Sequence, residues 1–222
     1  MKISEALSQA RNQLENSGVS NGKLDSLILL THALCVSKEK VIFNPDLELD
    51  LDQQNNFLSL IDRRSKREPI SHIIGKREFY GRDFIVNADV LDPRPDSESL
   101  IELVLEKYSS ENEKINILEI GSGSGCLTIS LLKELKDSKA VVLDISDKAL
   151  RVCYENADSH KVLDNLKLYK SDVFDVESFL SKLNNIPNFF PCEKDVLGKF
   201  DLIISNPPYI ESQEIEKLQT EV

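Results

Sequence analysis

A chain of 222 residues with 41% hydrophobic content can bury one large or two small cores, and none of its apolar stretches approaches the roughly 20 residues that span a bilayer. The polar start, MKISEALSQARNQLENSG, lacks a signal-peptide core, so a soluble cytoplasmic protein with no membrane partner is expected. The net charge of −11, with 9 basic and 10 acidic side chains in residues 1–75 and 18 and 28 in the remainder, argues against an extended grip on phosphate backbones, and no direct nucleic-acid partner is expected.

Residues 3–16 place Ile3, Ala6, Leu7, Ala10 and Leu14 on one helical face, with Gly18 where a stop belongs. A second helix is predicted over 23–35 on Leu24, Leu27, Ile28 and Leu34, a short third after Ser37, and a fourth over 50–67. Together they form a small helical bundle that ends at Pro69. Arg63, Arg64, Lys66 and Arg67 read as a solvated helix end, with contact to RNA or an acidic protein face as the alternative. Cys35, Cys126, Cys153 and Cys192 show no C-x-x-C spacing and His32, His72 and His160 are scattered, so buried thiols and no metal site are expected.

The segment EFYGRDFIVNADV, residues 78–90, contains two β-like runs around Gly81 and predicts a hairpin. In LDPRPDSESLIELVLEKY the prolines stop the strand, and Asp96 or Ser97 is the candidate cap of a helix carrying Leu100, Leu103, Val104 and Tyr108. Residues 115–135, INILEIGSGSGCLTISLLKEL, then read as a buried strand, a glycine loop and a helix start. Gly121, Gly123 and Gly125 alternate with Ser122 and Ser124, which lets the backbone approach a ligand at a helix N-terminus. The dinucleotide fingerprint wants its third glycine at the sixth position, where Cys126 stands, so NAD is disfavoured. The pattern E-x-G-x-G-x-G from Glu119 instead resembles the first motif of S-adenosylmethionine (AdoMet) methyltransferases, with an ordinary tight turn as the competing reading.

Asp144 ends the apolar run 140–143, at the distance from the glycine loop expected of a carboxylate that binds ribose hydroxyls. Helix capping is the alternative for Asp144, although Ser146 or Asp147 can serve there. A helix over 148–157 and a third strand over 166–169 follow, leaving Asp172 and Val173 at a strand end as candidates to flank an adenine. Residues 175–199 read as a loop or short-helix excursion, and a fourth strand, 200–204, delivers Asn206, Pro207, Pro208 and Tyr209 to the same edge.

Two prolines make a stiff turn that exposes acceptors and no N–H. The Asn206 side-chain oxygen and the Pro207 carbonyl can then accept both N–H groups of a planar NH₂, with Tyr209 stacked on it, so that the nitrogen is aligned for attack on a methyl donor. A purely structural Pro-Pro turn is the alternative.

Residues 74–98, the loop from Glu119 to Gly125, Asp144 and Asn206 to Tyr209 together resemble the release-factor glutamine methyltransferases of the HemK/PrmC family across essentially the whole chain. The resemblance implies an α/β, Rossmann-like AdoMet-dependent methyltransferase sheet preceded by a helical bundle and a β-hairpin linker. It implies domains at 1–72 (helical bundle, substrate recognition), 73–95 (linker) and 96–222 (AdoMet binding). It further implies transfer of methyl from AdoMet to the side-chain nitrogen of glutamine in the Gly-Gly-Gln motif of peptide chain release factors. Glu119, Gly121, Ser122, Gly123, Ser124, Gly125, Asp144, Asp172, Val173 and Asn206 would hold AdoMet, and Asn206, Pro207, Pro208 and Tyr209 the glutamine, with Asn206, Pro207 and Tyr209 catalytic. Val173 departs from an aromatic residue and Asp92 from an apolar one. The family sheet has seven strands whereas 12 residues follow Ile210 here, so a chain lacking the last three strands is expected. A DNA or RNA exocyclic-amine methyltransferase, which would need a basic groove, and an inactive remnant that only binds a partner are the alternatives.

Overall fold

The computed structural model describes residues 1–108, 114–175, 177, 178, 181 and 200–207. Its contacts divide into two units, one spanning Met1–Gly75 and the other beginning at Lys76.

In the first unit the apolar spacing produces α1 (Ile3–Asn16), α2 (Gly22–Leu34), α3 (Lys38–Phe43), α4 (Leu51–Ser65) and α5 (Ile70–Ile74). Ile3, Ala6, Ala10 and Leu14 of α1 are buried as the spacing predicts. Helix α4 starts on a reciprocal cap, Asp50 Oδ1 accepting from Gln53 N at 2.8 Å and Gln53 Oε1 from Asp50 N at 3.1 Å. Pro69, expected to end the bundle, instead precedes one more short helix that Gly75 closes at φ +73°.

The face of α2 differs from expectation. Leu24 is 51% exposed, Leu27 and Ile28 are only half-buried, and Gly22, Asp25, Ser26, Leu29 and Leu30 face inward. Two contacts rotate the helix. A Cβ on Gly22 would stand 3.1 Å from the Arg11 carbonyl, so the α2 backbone packs directly against α1 there. The Asp25 carboxylate accepts from Arg64 Nε at 2.7 Å, with both side chains 8% exposed. Arg64 is therefore buried, not part of a solvated helix end, and its neighbours Arg63 and Arg67 bind Glu68 and the Gly18 carbonyl. Cys35, expected buried, is exposed because it closes α2 at φ +52°. Cys192 lies outside the described residues.

The second unit begins with a hairpin, β1 (Lys76–Phe79) and β2 (Arg82–Ile85), turning through Tyr80 and Gly81 at φ +51° and +68°. Positive φ at both central residues is the tight turn whose twist suits paired strands. Phe79 and Phe84 are fully buried in one core with Ile101, Ile117, Leu127 and Ile129, so these strands, read from sequence as part of a linker, pack as members of the unit. A 3₁₀ turn over Pro95–Ser97 leads into α6 (Glu98–Lys107), and neither Asp96 nor Ser97 caps it. Ser97 is already helical at φ −72°, ψ −13°, whereas a capping residue is extended.

Strand β3 (Asn116–Ile120), α7 (Cys126–Glu134), β4 (Lys139–Asp144), α8 (Asp147–Ser159), β5 (Leu166–Lys170) and β6 (Leu202–Ser205) complete the described elements apart from one short 3₁₀ turn. The four strands form a parallel sheet in the order β5-β4-β3-β6. Ile117, Ala140 and Val142 enter the core that holds the hairpin and helices, while Leu118, Val141 and Leu143 form a second cluster, as alternation demands. Because the order reverses between β3 and β6, the carboxyl ends of those strands diverge into a crevice.

Candidate active site

The register places Ile120 opposite Leu143 and Ser205, and Asp144 opposite Lys170, so the segments following all four strands gather along one edge. Backbone bonds fix that edge: Gly121 N donates to the Leu143 carbonyl at 2.8 Å and Ser171 N to the Asp144 carbonyl at 2.9 Å. Ser205 Oγ donates to the Ile120 carbonyl at 2.8 Å, tying β6 to the start of the glycine loop.

Along this edge lies a cleft of about 540 Å³, within the usual range for a small-molecule site. Gly121, Gly123, Asp144, Asp172, Val173, Asn206 and Pro207 line it, which brings together most of the residues singled out from sequence. A smaller cavity of about 50 Å³, lined by Glu119, Ser122, Ser124, Ser97 and Asn206 among others, shares Gly121 and Gly123 with the cleft. Pro208 and Tyr209 lie outside the described residues, as does most of 175–199.

The three glycines separate into two kinds. Gly121 and Gly123 have φ of +78° and +49°, and a Cβ on either would meet nothing within 4 Å, which leaves open space for a ligand against the backbone. Gly125, expected beside them in the ligand cradle, lines neither cavity. A Cβ there would stand 2.5 Å from Cys153 Sγ, so this glycine exists to let α7 start against α8.

Asp144 anchors the loop. Its Oδ2 accepts from Gly123 N at 3.1 Å and from Ser122 Oγ at 3.2 Å, and its Oδ1 from Ser146 N at 2.9 Å. The cap of α8 is Ser146, whose Oγ accepts from Ala149 N at 3.2 Å, so Asp144 is not needed as a helix cap. Asp172 is held by its own loop, Oδ1 accepting from Phe174 N at 2.9 Å.

Glu119 is 2% exposed, and its Oε2 finds no hydrogen-bond partner among the described residues. Burial pushes its carboxyl up to about 7, with the charge of Asp144 acting in the same direction. A buried, unpaired carboxyl oxygen beside open glycines is chemistry that fits a ligand bearing positive charge or N–H donors. Burial likewise pushes the Cys126 thiol up to about 12 and raises that of Cys153, so neither is a nucleophile.

Four contributors were not foreseen. Asn156 is fully buried, its Nδ2 donating to the Ser124 and Ile85 carbonyls at 2.9 Å each and its Oδ1 accepting from Ile85 N at 2.7 Å. Ser97 Oγ accepts from Asn206 Nδ2 at 3.0 Å. Val90 and Leu91 line the cleft from the segment after the hairpin. A polar residue on an otherwise apolar helix face was the signal for Asn156; for Ser97 the sequence offered only a helix start.

Residues 5–75 match the family model described as "PrmC N-terminal domain", and residues 111–220 that described as "Methyltransferase domain". The release factor glutamine methyltransferase of Koribacter versatilis is 35% identical over 222 residues, covering 100% of this chain and 72% of that protein. A bifunctional methyltransferase of Rickettsia bellii is 36% identical over 99% of this chain, which spans only 41% of its length. Among solved structures, human methyltransferase 10 domain containing protein superposes with a TM-score of 0.45 and 18% identity, covering 60% of this chain and 57% of that one.

Proposed function

This chain belongs to the PrmC family of release factor glutamine methyltransferases, and from that premise we propose that it methylates the side-chain amide nitrogen of the glutamine in the Gly-Gly-Gln motif of a peptide chain release factor, using AdoMet. The observation that carries the reading is the position of Asn206, which follows β6 directly across the crevice from Gly121 and lines both cavities.

AdoMet supplies, when bound, a methyl group on a sulfonium centre open to attack by a nitrogen lone pair. The residues present fit it: open space above Gly121 and Gly123, an unpaired buried Glu119 oxygen, and an apolar cleft of about 540 Å³. Glu119, Ser122, Asp144, Asp172 and Val173 would hold it alongside those glycines.

The substrate amide is a weak nucleophile because its lone pair is delocalised. Asn206 Oδ1 and the Pro207 carbonyl would accept its two N–H groups, fixing the NH₂ plane and easing the build-up of positive charge on nitrogen as the new C–N bond forms and the methyl–sulfur bond breaks, the sulfur departing as a neutral thioether. The proton lost afterwards leaves to water. Residues 1–75, nearly neutral in charge, would contribute recognition of the release factor surface.

The test is transfer of radiolabel from AdoMet to a purified release factor and to the same factor with its motif glutamine replaced by alanine. Label on the first and not the second is expected. Equal labelling of both would overturn the reading.

A further inference from the structure

We infer that Ser97 is the positioning residue that orients the Asn206 carboxamide, presenting its oxygen to the crevice; this rests on the role given to Asn206 above.

The two ends of a carboxamide are almost the same size, and a half-turn about its last bond exchanges an acceptor for two donors. Shape alone therefore does not hold Asn206 in the one orientation that can accept an N–H from a substrate amide. A hydrogen bond to one end can. Asn206 Nδ2 donates to Ser97 Oγ at 3.0 Å, a contact between residues 109 positions apart in the chain. With the nitrogen end held, Oδ1 is left for an incoming donor.

The local structure makes Ser97 a firm support. Its residue is buried at 9% exposure, and its backbone N–H donates to the Arg94 carbonyl at 3.0 Å within the Pro95–Ser97 turn. Pro93 and Pro95 restrict the chain just before it. The next residue, Glu98, accepts from Tyr80 N at 2.9 Å, which ties the start of α6 to the hairpin. Because Ser97 does not cap α6, its hydroxyl is available to Asn206. The serine of the P-R-P-D-S-E stretch thus acts across the fold on the first residue of N-P-P-Y.

The test compares Ser97→Ala and Ser97→Thr in the complete chain. Ser97→Ala should lower kcat on release factor about tenfold, the cost of one net hydrogen bond, while leaving the AdoMet dissociation constant unchanged. Ser97→Thr, which keeps the hydroxyl, should return kcat to within about twofold. An activity-independent readout is the side-chain NH₂ pair of Asn206 in a nitrogen–proton correlation spectrum, identified by its disappearance in Asn206→Ala. In Ser97→Ala this pair should move to the shifts of a solvated carboxamide and exchange faster. An unmoved pair, or a kcat that Ser97→Thr fails to restore, would overturn the inference. A displaced pair in a chain whose wild type labels no release factor would overturn the functional reading and leave the orienting role standing.

Discussion

The Asn156 side chain donates to the Ser124 carbonyl at 2.9 Å and so binds the glycine loop to a helix that begins more than 20 residues later. The same side chain exchanges two bonds with the Ile85 backbone, at 2.7 and 2.9 Å. One fully buried carboxamide thus satisfies three backbone groups from two separate segments of the chain. Replacement by the near-isosteric leucine leaves them unpaired at about 1–3 kcal/mol each, partly relieved by local shifts. Asn156→Leu should lower stability by about 2–4 kcal/mol in urea denaturation; a change under ~1 kcal/mol would mean that the loop is held by other contacts.

The distinction between the glycines is testable in the same way. Gly121→Ala and Gly125→Ala share the cost of a side chain at φ +78°, about 1–2 kcal/mol. Gly125→Ala adds a clash with Cys153 Sγ and should be clearly less stable than Gly121→Ala in the same melting series. AdoMet affinity should respond in the opposite order, since only the Gly121 position borders the cleft.

Strands β3 and β4 were legible as apolar runs because a parallel strand buried on both faces has no alternation to disguise it. The places of the glycine loop, after β3, and of Asp144, at the end of β4, were legible for a related reason: both are spelled by neighbouring residues. Legibility ended where a residue's role depends on a distant partner. The inward face of α2 is set by Gly22 meeting Arg11 and by Asp25 meeting Arg64, and nothing in residues 23–35 announces either contact. Gly125 looks like its two neighbours in sequence, yet Cys153 makes it a packing glycine. Ser97 reads as a helix cap until the chain folds Asn206 onto it.

The Asp25–Arg64 pair permits a double-mutant test. Removing one partner leaves the other charge buried, a loss of about 3–5 kcal/mol for Arg64→Met. The double replacement Asp25→Leu with Arg64→Met removes both charges and should recover most of that stability. Additive losses in denaturant melts would show that the two side chains act separately.

Glu119 predicts a pH dependence of known sign. Its carboxyl titrates near 7 when folded and near 4.5 when unfolded, so the folded state holds the proton more tightly. The resulting stabilisation is complete below pH 4.5 and is lost as pH rises through 7, a change on the order of 3 kcal/mol for this group. Glu119→Gln should flatten that part of the stability profile. If Glu119 faces the cationic part of AdoMet, binding near pH 6 should release a proton, detected as a calorimetric enthalpy that varies with the ionisation enthalpy of the buffer. A buffer-independent enthalpy would place Glu119 away from the ligand.

Asp144 and Asn206 line the same cleft yet should fail differently when removed. Asp144 holds Gly123 N and Ser122 Oγ in place and, in the proposed role, accepts from ribose hydroxyls, so its contribution is to cofactor binding. Asp144→Ala should weaken AdoMet by roughly 1.5–3 kcal/mol, the range for hydrogen bonds to a charged group, with turnover preserved at saturating cofactor. In the proposed role Asn206 faces the nucleophile, and loss of one preorganised contact of this kind costs about 10²- to 10³-fold in kcat. Asn206→Ala should therefore leave the AdoMet dissociation constant nearly unchanged while turnover on release factor falls by that factor. Calorimetric titration beside single-turnover labelling separates the two. A steep loss of AdoMet affinity in Asn206→Ala would move this residue into the cofactor pocket, and an unchanged affinity in Asp144→Ala would reduce Asp144 to a strut of the glycine loop.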